Sequence, residues 1–141
     1  MTLPDFALGD DSELKTAVRD ATSYDDNTDE LPEGQLDGLV DDAKREMYGR
    51  TGSQQWYADV NYGQALKAWT CIVVKAAVEN INIESYSIAD ESIRLSNADP
   101  EDSQQIQLWM NQVSRALDQA EDAGFERSQD ISFSNTSAYI G

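Results

Sequence analysis

The stretch that decides the fold runs from Asp59 to Asn82 and reads DVNYGQALKAWTCIVVKAAVENIN. Its apolar residues recur at steps of three and four, which is the period of one face of an α-helix. One stripe consists of Tyr62, Leu66, Trp69, Val73 and Ala77, and it is widened by Ala65, Ile72, Ala76 and Ile83. A helix that is apolar on most sides is usually buried at the centre of a fold. The pattern therefore predicts a long central helix from Asp59 to Asn82.

Two shorter helices are predicted before this stretch. The first spans Ser12 to Ala21, and either Asp11 or Ser12 can cap it, because both side chains accept hydrogen bonds from free backbone amides. The second spans Glu33 to Tyr48, where Gly49 is typical of a helix stop. The turn-rich segment between these two helices is predicted to be a loop.

The last helix is predicted to begin at Asp99-Pro100-Glu101. Asp99 suits the N-cap, and Pro100 suits the first helical position, where its missing amide hydrogen is not needed. Gly124 is expected to end the helix. The chain is thus expected to have an all-α fold, a compact bundle of about four helices.

Two segments depart from the helical period. An arm at residues 84–98 contains the stretch YSIADESIRLS, Tyr86 to Ser96, whose alternation is typical of strands and predicts a hairpin-like shape. The segment at 125–141 contains the alternating run Ile131-Ser132-Phe133-Ser134 and is predicted to be extended. We therefore expect a helical domain at residues 1–124, which carries the arm, and a C-terminal docking tail at 125–141.

Acidic side chains dominate the charge of the chain. It has 27 Asp and Glu against 10 Lys and Arg, which gives a formal net charge of −17. Three explanations are open: mimicry of DNA or shielding of a basic partner, a cluster of metal-binding carboxylates, and adaptation to very high salt. The acids are spread from Asp5 to Asp130, which favours adaptation to salt, because a Debye length of about 3 Å at molar salt screens their repulsion. We expect a halophilic source.

The side chains that usually carry catalysis are missing or isolated. There is no His, so imidazole bases and imidazole metal ligands are excluded. The single Cys71 lies in an apolar run, and without His only Lys67 or Lys75 could lower its pKa for a nucleophilic role, so we expect a buried, unreactive thiol. The loop Asp25-Asp26-Asn27-Thr28-Asp29 starts like a calcium loop, but Glu30 replaces the required Gly and Leu36 the required Glu. We predict no enzymatic activity, no cofactor and no metal site.

No membrane contact is expected either. The sequence has no apolar run of about 18 residues, and its first residues, MTLPDFALGDD, lack the basic segment of a secretory signal.

A few scarce residue types are candidates for contacts with other molecules. Lys67 and Lys75 share one face of the central helix, where they either pair with acids of their own chain or face an acidic neighbouring subunit. Trp56 and Tyr57 precede the same helix, where they either anchor an interface or form a hydrophobic staple.

The order of elements follows a recognisable pattern. A leucine-rich helix in LPEGQLDGLVDDAKREMYGRTG ends in an aromatic–Gly–Arg turn, Tyr48-Gly49-Arg50, and the long apolar helix QALKAWTCIVVKAAVENI comes next. The arm SYSIADESIRLS and the final helix EDSQQIQLWMNQVSRALDQAED complete the order. This order resembles the head–tail connector (adaptor) proteins of tailed viruses, in the form carried by tailed viruses of halophilic archaea. The resemblance covers Ser12 to Ala123 and consists of order and pattern.

The resemblance implies a structural protein without catalytic residues. Subunits of that family form a ring, usually a dodecamer, that docks below the portal protein in the virion. The ring extends the channel for double-stranded DNA without binding it specifically, and it bridges to the next head-completion or tail protein. Its roles would be in viral genome packaging and DNA ejection, after synthesis in the host cytoplasm. The alternative is a small acidic cytoplasmic binding or regulatory protein of a halophile, such as a DNA mimic.

On the connector interpretation, two sets of residues are expected to make contacts outside the subunit. The subunit and portal interface is predicted to include Tyr86, Ile88, Ile93, Arg94, Leu95, Lys67, Lys75, Trp56 and Tyr57. The docking tail is predicted to use Phe125, Ile131, Phe133, Tyr139 and Ile140. Extended segments suit this role because their backbone groups can pair with the sheet edge of a neighbour.

Overall fold

A computed structural model describes residues 10–24, 31–51, 60–87, 90–122 and 132–134. These residues form, in chain order, α1 (Asp11–Thr22), α2 (Glu33–Thr51), α3 (Val60–Glu79), β1 (Asn82–Ser87), β2 (Ser92–Ser96), α4 (Pro100–Asp122) and β3 (Ser132–Ser134). The molecule is mostly helical, which confirms the predicted fold class. The strands form one antiparallel sheet in the order β2-β1-β3.

The helix α3 lies at the centre of the fold, as its apolar pattern predicts. Helices α1, α2 and α4 all pack against it. Tyr62, Leu66 and Trp69 of the predicted stripe are buried in the core. Val73 is only half-buried and Ala77 is exposed. Towards its end, the most deeply buried side chains of the helix are instead those of Val74 and Ala76.

The end of α3 differs from the sequence-based expectation by three residues. The helix stops at Glu79, not at Asn82, because Asn80 adopts a left-handed conformation with φ 58°. The amide of Ile81 then donates to the carbonyl of Ala76 at 2.9 Å, and the Ile81 side chain is buried. This is a Schellman C-cap, in which Asn can take the place of Gly. It turns the chain directly from α3 into β1.

The first helix also has a different cap from the predicted one. The carboxylate of Asp10 accepts a hydrogen bond from the amide of Glu13 at 2.9 Å, so Asp10, and not Asp11 or Ser12, is the N-cap. At the other end, Ser23 has φ 65° and its amide donates to the carbonyl of Arg19. The helix is therefore one residue longer than predicted at each end.

The predicted stop of the second helix at Gly49 is wrong. α2 continues to Thr51, so Tyr48-Gly49-Arg50 is helical and does not form the turn that the family pattern implies. Glycine permits a left-handed C-cap without imposing one, and the sequence alone does not reveal whether the chain uses it.

The start and the inward face of α4 are confirmed. The helix begins at Pro100, and the carbonyl of Asp99 accepts the first helical hydrogen bond, from the amide of Ser103 at 2.9 Å. Its buried side consists of Ile106, Trp109, Met110, Val113, Leu117 and Ala120, as predicted. The predicted stop at Gly124 lies outside the described residues.

Candidate interaction surfaces

The predicted arm is a closed β-hairpin that starts two residues earlier than expected, at Asn82. Its register pairs Ile83 with Leu95 and Tyr86 with Ile93, with a shift between Ile83 and Ser85. The inward pairs are three residues apart on β1 but two apart on β2, so a β-bulge has to take up the extra residue. The bulge lets all four apolar side chains face the helices, which strict alternation does not allow.

Tyr86 anchors the hairpin to the core. Its side chain is 3% exposed, and its ring lies 4.7 Å from the ring of Trp69 on α3, centroid to centroid, at an angle of 50°. Its hydroxyl donates to a carboxylate oxygen of Glu46 on α2 at 2.8 Å. A tilted aromatic pair combined with a hydrogen bond to a charged acceptor holds the sheet on both helices. The side chain predicted to reach another subunit thus belongs to its own core.

Hydrogen bonds at the turn and at the base also hold the hairpin against its own chain. The side-chain amide of Gln107 on α4 donates to the carbonyl of Glu91 in the turn. At the base, Asn97 donates to the carbonyl of Asn80 at 2.8 Å. Glu91 and Asn97 both have positive φ angles, 53° and 63°. A residue other than Gly in this conformation marks a tightly determined turn, so the arm has a defined shape before any partner binds.

The remaining predicted residues of the arm differ in exposure. Ile93 and Leu95 are half-buried and contact the core, whereas Arg94 between them is exposed. No ion pair of Arg94 is found among the described residues. Ile88 lies outside the described residues. Arg94 is therefore the predicted arm residue best placed to meet a second molecule.

A short part of the tail lies on the chain's own sheet. Backbone pairing joins Ser132, Phe133 and Ser134 of β3 to Ser87, Tyr86 and Ser85 of β1, so β1 becomes the central strand. Phe125, Ile131, Tyr139 and Ile140 lie outside the described residues, as do Trp56 and Tyr57. Docking of the tail on another protein stays a prediction, and the structure identifies β1 as the strand that accepts it within the chain.

The two lysines of α3 have different surroundings. Lys75 takes the intrachain alternative: its ammonium lies 3.0 Å from a carboxylate oxygen of Asp102 on α4 and 5.9 Å from the centre of the Tyr24 ring. The carboxylate and the aromatic face both attract the ammonium group and hold it inside its own subunit. Lys67 has no ion-pair partner among the described residues. Of the two, Lys67 keeps its charge available for a neighbouring subunit, and that contact stays a prediction.

The Cys71 thiol is sealed inside the core. It is fully buried, and this burial raises its pKa to about 12, although the nearby charge of Lys67 acts in the opposite direction. Since the thiolate is the reactive species, a thiol with this pKa is inert at neutral pH. We expect no alkylation of native Cys71 by iodoacetamide at pH 8, and stoichiometric alkylation in urea. Rapid labelling of the folded chain, measured by mass spectrometry, would contradict the burial.

Ion pairs connect α1 and α2. Lys15 lies 2.9 Å from Glu33 and 2.7 Å from Asp37, and Arg19 lies 3.1 Å from Glu33. The hydrogen bonds that Glu33 accepts from Lys15 and then from Arg19 lower the pKa of Glu33, and the hydrogen bonds that Lys15 donates to Asp37 and Glu33 raise the pKa of Lys15. Lys44 on α2 pairs with Asp11 on α1 at 3.0 Å. Lys15, Arg19 and Lys44 are thus used inside the subunit, whereas other acids of the two helices, such as Glu13 and Asp20, face water.

The outer face of α4 was missed by the sequence analysis. The exposed side chains Gln104, Leu108, Gln112 and Arg115 are spaced by four, four and three residues, so they form one stripe, which we call the α4 stripe. Leu108 is 57% exposed. From Ser103 to Leu117 the chain has no Asp or Glu, although acids are frequent elsewhere. That gap in the acidic pattern was the available sequence signal.

A second exposed stripe lies on α2. Gly34, Gly38, Asp41, Arg45 and Tyr48 are spaced by four, three, four and three residues, and we call them the α2 stripe. Tyr48 is 43% exposed, and it and Leu108 are the large apolar side chains most exposed among the described residues. Asp41 has no ion-pair partner among the described residues. A Cβ added to Gly34 or Gly38 would meet no atom within 4 Å.

In the described ranges, no group of three or more Cys, Asp or Glu side chains could hold a metal ion, and none of the helices has the uninterrupted apolar length of a membrane span. The calcium-like residues 25–30 lie outside those ranges. No known protein family, curated protein or solved structure matched the chain. Its function is therefore inferred from its own residues.

Proposed function

We propose that the chain is a structural subunit of a head–tail connector of a tailed virus. The observation that carries this proposal is the hairpin inserted between the long central helix and the last helix of the bundle, followed by the short strand β3. This order is the one expected from the resemblance to the adaptor family. The subunits would form a ring, usually a dodecamer, below the portal protein and contact the next head-completion or tail protein.

The charge of the chain agrees with a channel for DNA. A net charge of −17 repels phosphates, so double-stranded DNA can pass without the tight, salt-dependent binding that a lysine-rich wall produces. The acids of α1 that face water, Glu13 and Asp20, are candidates for such a wall.

The hairpin offers a preformed contact surface to the next component. Because Tyr86 holds the hairpin to α2 and Gln107 holds its turn, the outer side of the hairpin presents Arg94 in a defined position. Preorganisation of this kind lowers the entropy lost on binding. The binding surface is thus already formed in an isolated subunit.

The location of the chain in particles tests this proposal. Cryo-electron microscopy of particles that carry a tagged copy is expected to show the tag at the vertex between portal and tail. Arg94→Glu and removal of residues 125–141 are each expected to reduce the amount of chain per particle several-fold. Removal of residues 135–141, which retains β3, separates loss of docking from loss of the sheet.

The controls are the unfolding midpoint and the helical signal of each variant, which should stay close to those of the intact chain for Arg94→Glu and for the shorter truncation. The absence of the chain from purified particles would overturn the connector proposal. Recovery of a basic protein partner, with no portal contact, would favour the acidic regulatory protein instead.

A further inference from the structure

The α4 stripe has the composition of a protein contact surface. Charged residues are depleted at the centres of protein interfaces, whereas Arg is enriched there. In this stripe, the exposed Leu108 lies between two glutamines, Gln104 and Gln112, and Arg115 follows. No ion pair of Arg115 is found among the described residues. Arg115 is exposed and can therefore pair with an acidic group of another molecule.

The α2 stripe has complementary chemistry. Asp41 offers an unpaired carboxylate, and Tyr48, seven residues later, offers an exposed aromatic ring. Gly38 lies inside the helix, where glycine lowers helix stability relative to alanine. The chain itself leaves room for a Cβ at this position, so its own packing does not explain the glycine. A glycine that faces open space allows another helix to approach the backbone closely.

Within one molecule, the α2 and α4 stripes cannot pack along each other. Such packing therefore has to join two different molecules. Both α2 and α4 pack against α3, and each stripe faces away from the core. The spacings of three and four residues in both stripes suit packing of one helix along another. We propose that the α4 stripe of one copy binds the α2 stripe of the next copy, with Leu108 against Tyr48 and Arg115 beside Asp41.

This arrangement joins two different surfaces, so it is a heterologous contact. Such contacts repeat from copy to copy and close into a ring when the rotation between copies allows it. The inference rests on the proposed ring and deepens it by naming the surfaces that join its subunits. A second copy is the favoured occupant because the α2 stripe of the chain itself supplies a carboxylate and an aromatic ring for the arginine and the leucine of the α4 stripe.

Cross-linking of paired cysteines tests the contact in the full chain. Tyr48→Cys and Leu108→Cys are introduced together, and the buried Cys71 stays in place because it does not react in the folded chain. Treatment with a short bismaleimide at molar KCl and at low salt is expected to give a ladder of dimers, trimers and larger species on a denaturing gel. The control pair Thr16→Cys with Leu108→Cys keeps one partner and moves the other to an exposed site on α1.

Two further variants separate contact from folding. Gly38→Ala is expected to raise the thermal unfolding midpoint of the isolated chain while it weakens the ladder of the double-cysteine protein. Arg115→Glu is expected to reduce the ladder at least several-fold at low salt, and combination with Asp41→Arg is expected to restore it. If Gly38 served only the fold of the subunit, its replacement by Ala would not raise the unfolding midpoint. If Arg115 served only the fold, reversing the charge of its partner would not restore the ladder.

A double-cysteine ladder no stronger than that of the Thr16 control pair, at both salt concentrations, would overturn this inference. Dimers from Leu108→Cys alone would overturn it as well, because they indicate that two α4 stripes face each other. These results are independent of the particle experiment. A ladder from a chain absent from particles contradicts the connector function alone, whereas a chain found at the vertex without a ladder contradicts this contact alone.

Discussion

Replacement of Trp69 by Ala is expected to lower the free energy of unfolding by about 3–5 kcal/mol, the usual effect of removing a large aromatic side chain from a core. Trp69 is 2% exposed, and its ring on α3 contacts the ring of Tyr86 in the hairpin. Loss of this side chain leaves a cavity and removes the aromatic contact that connects the sheet to the central helix. Urea unfolding followed by circular dichroism measures the change.

Trp69→Phe serves as the graded comparison. The indole N–H of Trp69 is buried without a hydrogen-bond partner among the described residues, and an unsatisfied buried donor costs about 1–3 kcal/mol. Phe removes this donor and keeps most of the apolar contact, so we expect a loss well below that of Ala. Leu108→Ala, at an exposed site, should change stability by about 0.5 kcal/mol or less in dilute protein. Equal losses for Ala and Phe would contradict a mainly packing role of Trp69.

The second large effect is expected from salt: the stability of the chain should rise steeply between low salt and molar KCl. Two carboxylates about 10 Å apart in water repel each other by about 0.4 kcal/mol before screening. Since the chain has 27 acids against 10 bases, many such pairs remain uncompensated, and the sum is on the order of several kcal/mol. Molar salt reduces the Debye length to about 3 Å and removes most of this repulsion.

Salt also weakens the attractive pairs, and the magnitudes decide which effect prevails. The pairs of Lys15 with Glu33 and Asp37 lie at the surface, where water screens an ion pair and its contribution to stability is small. They are few, so their loss is smaller than the gain from screened repulsion. Urea unfolding midpoints measured against KCl concentration test this balance. A stability maximum at low salt would contradict both the prediction and the halophilic interpretation.

A charge-neutral variant provides the matched control. The carboxylates of Glu13, Asp20 and Asp41 have no ion-pair partner among the described residues. The triple variant Glu13→Gln, Asp20→Asn and Asp41→Asn should therefore be more stable than the parent at low salt and should respond less to KCl. An unchanged salt response in this variant would mean that screening of surface acids is not the cause.

The helical part of the fold was predictable because its signals are local. The period of the apolar residues identifies α3 as central and places Ile106, Trp109 and Met110 of α4 in the core. The start of α4 follows from Asp99-Pro100, whose backbone preferences act within one turn. The predicted ends of α2 and α3 were wrong. Each end depends on whether a residue such as Gly49 or Asn80 adopts the left-handed form, and the sequence does not show which residue does so.

The candidate surfaces were harder to predict because they depend on contacts between distant residues. The sequence directed attention to the arm, yet its apolar residues Tyr86, Ile93 and Leu95 contact their own core. The α4 stripe can be identified only in the packed bundle, because only there is it visible that Leu108 faces water while its neighbour Trp109 does not. A gap in the acidic pattern indicates the region but not the direction in which its side chains face.

By itself, the sequence determined the all-α class, the central position of α3, the hairpin-like arm and the strongly acidic surface, because periodicity, capping and charge are properties of local segments and of composition. Only the tertiary structure decided which side of the hairpin faces inward. One extra residue in β1 forms a bulge that turns Ile83 and Tyr86 to the same side, and the benefit of that bulge comes from Trp69 and Glu46 on two other helices. Contacts across the chain, and not the local pattern, therefore set which residues remain available to a partner.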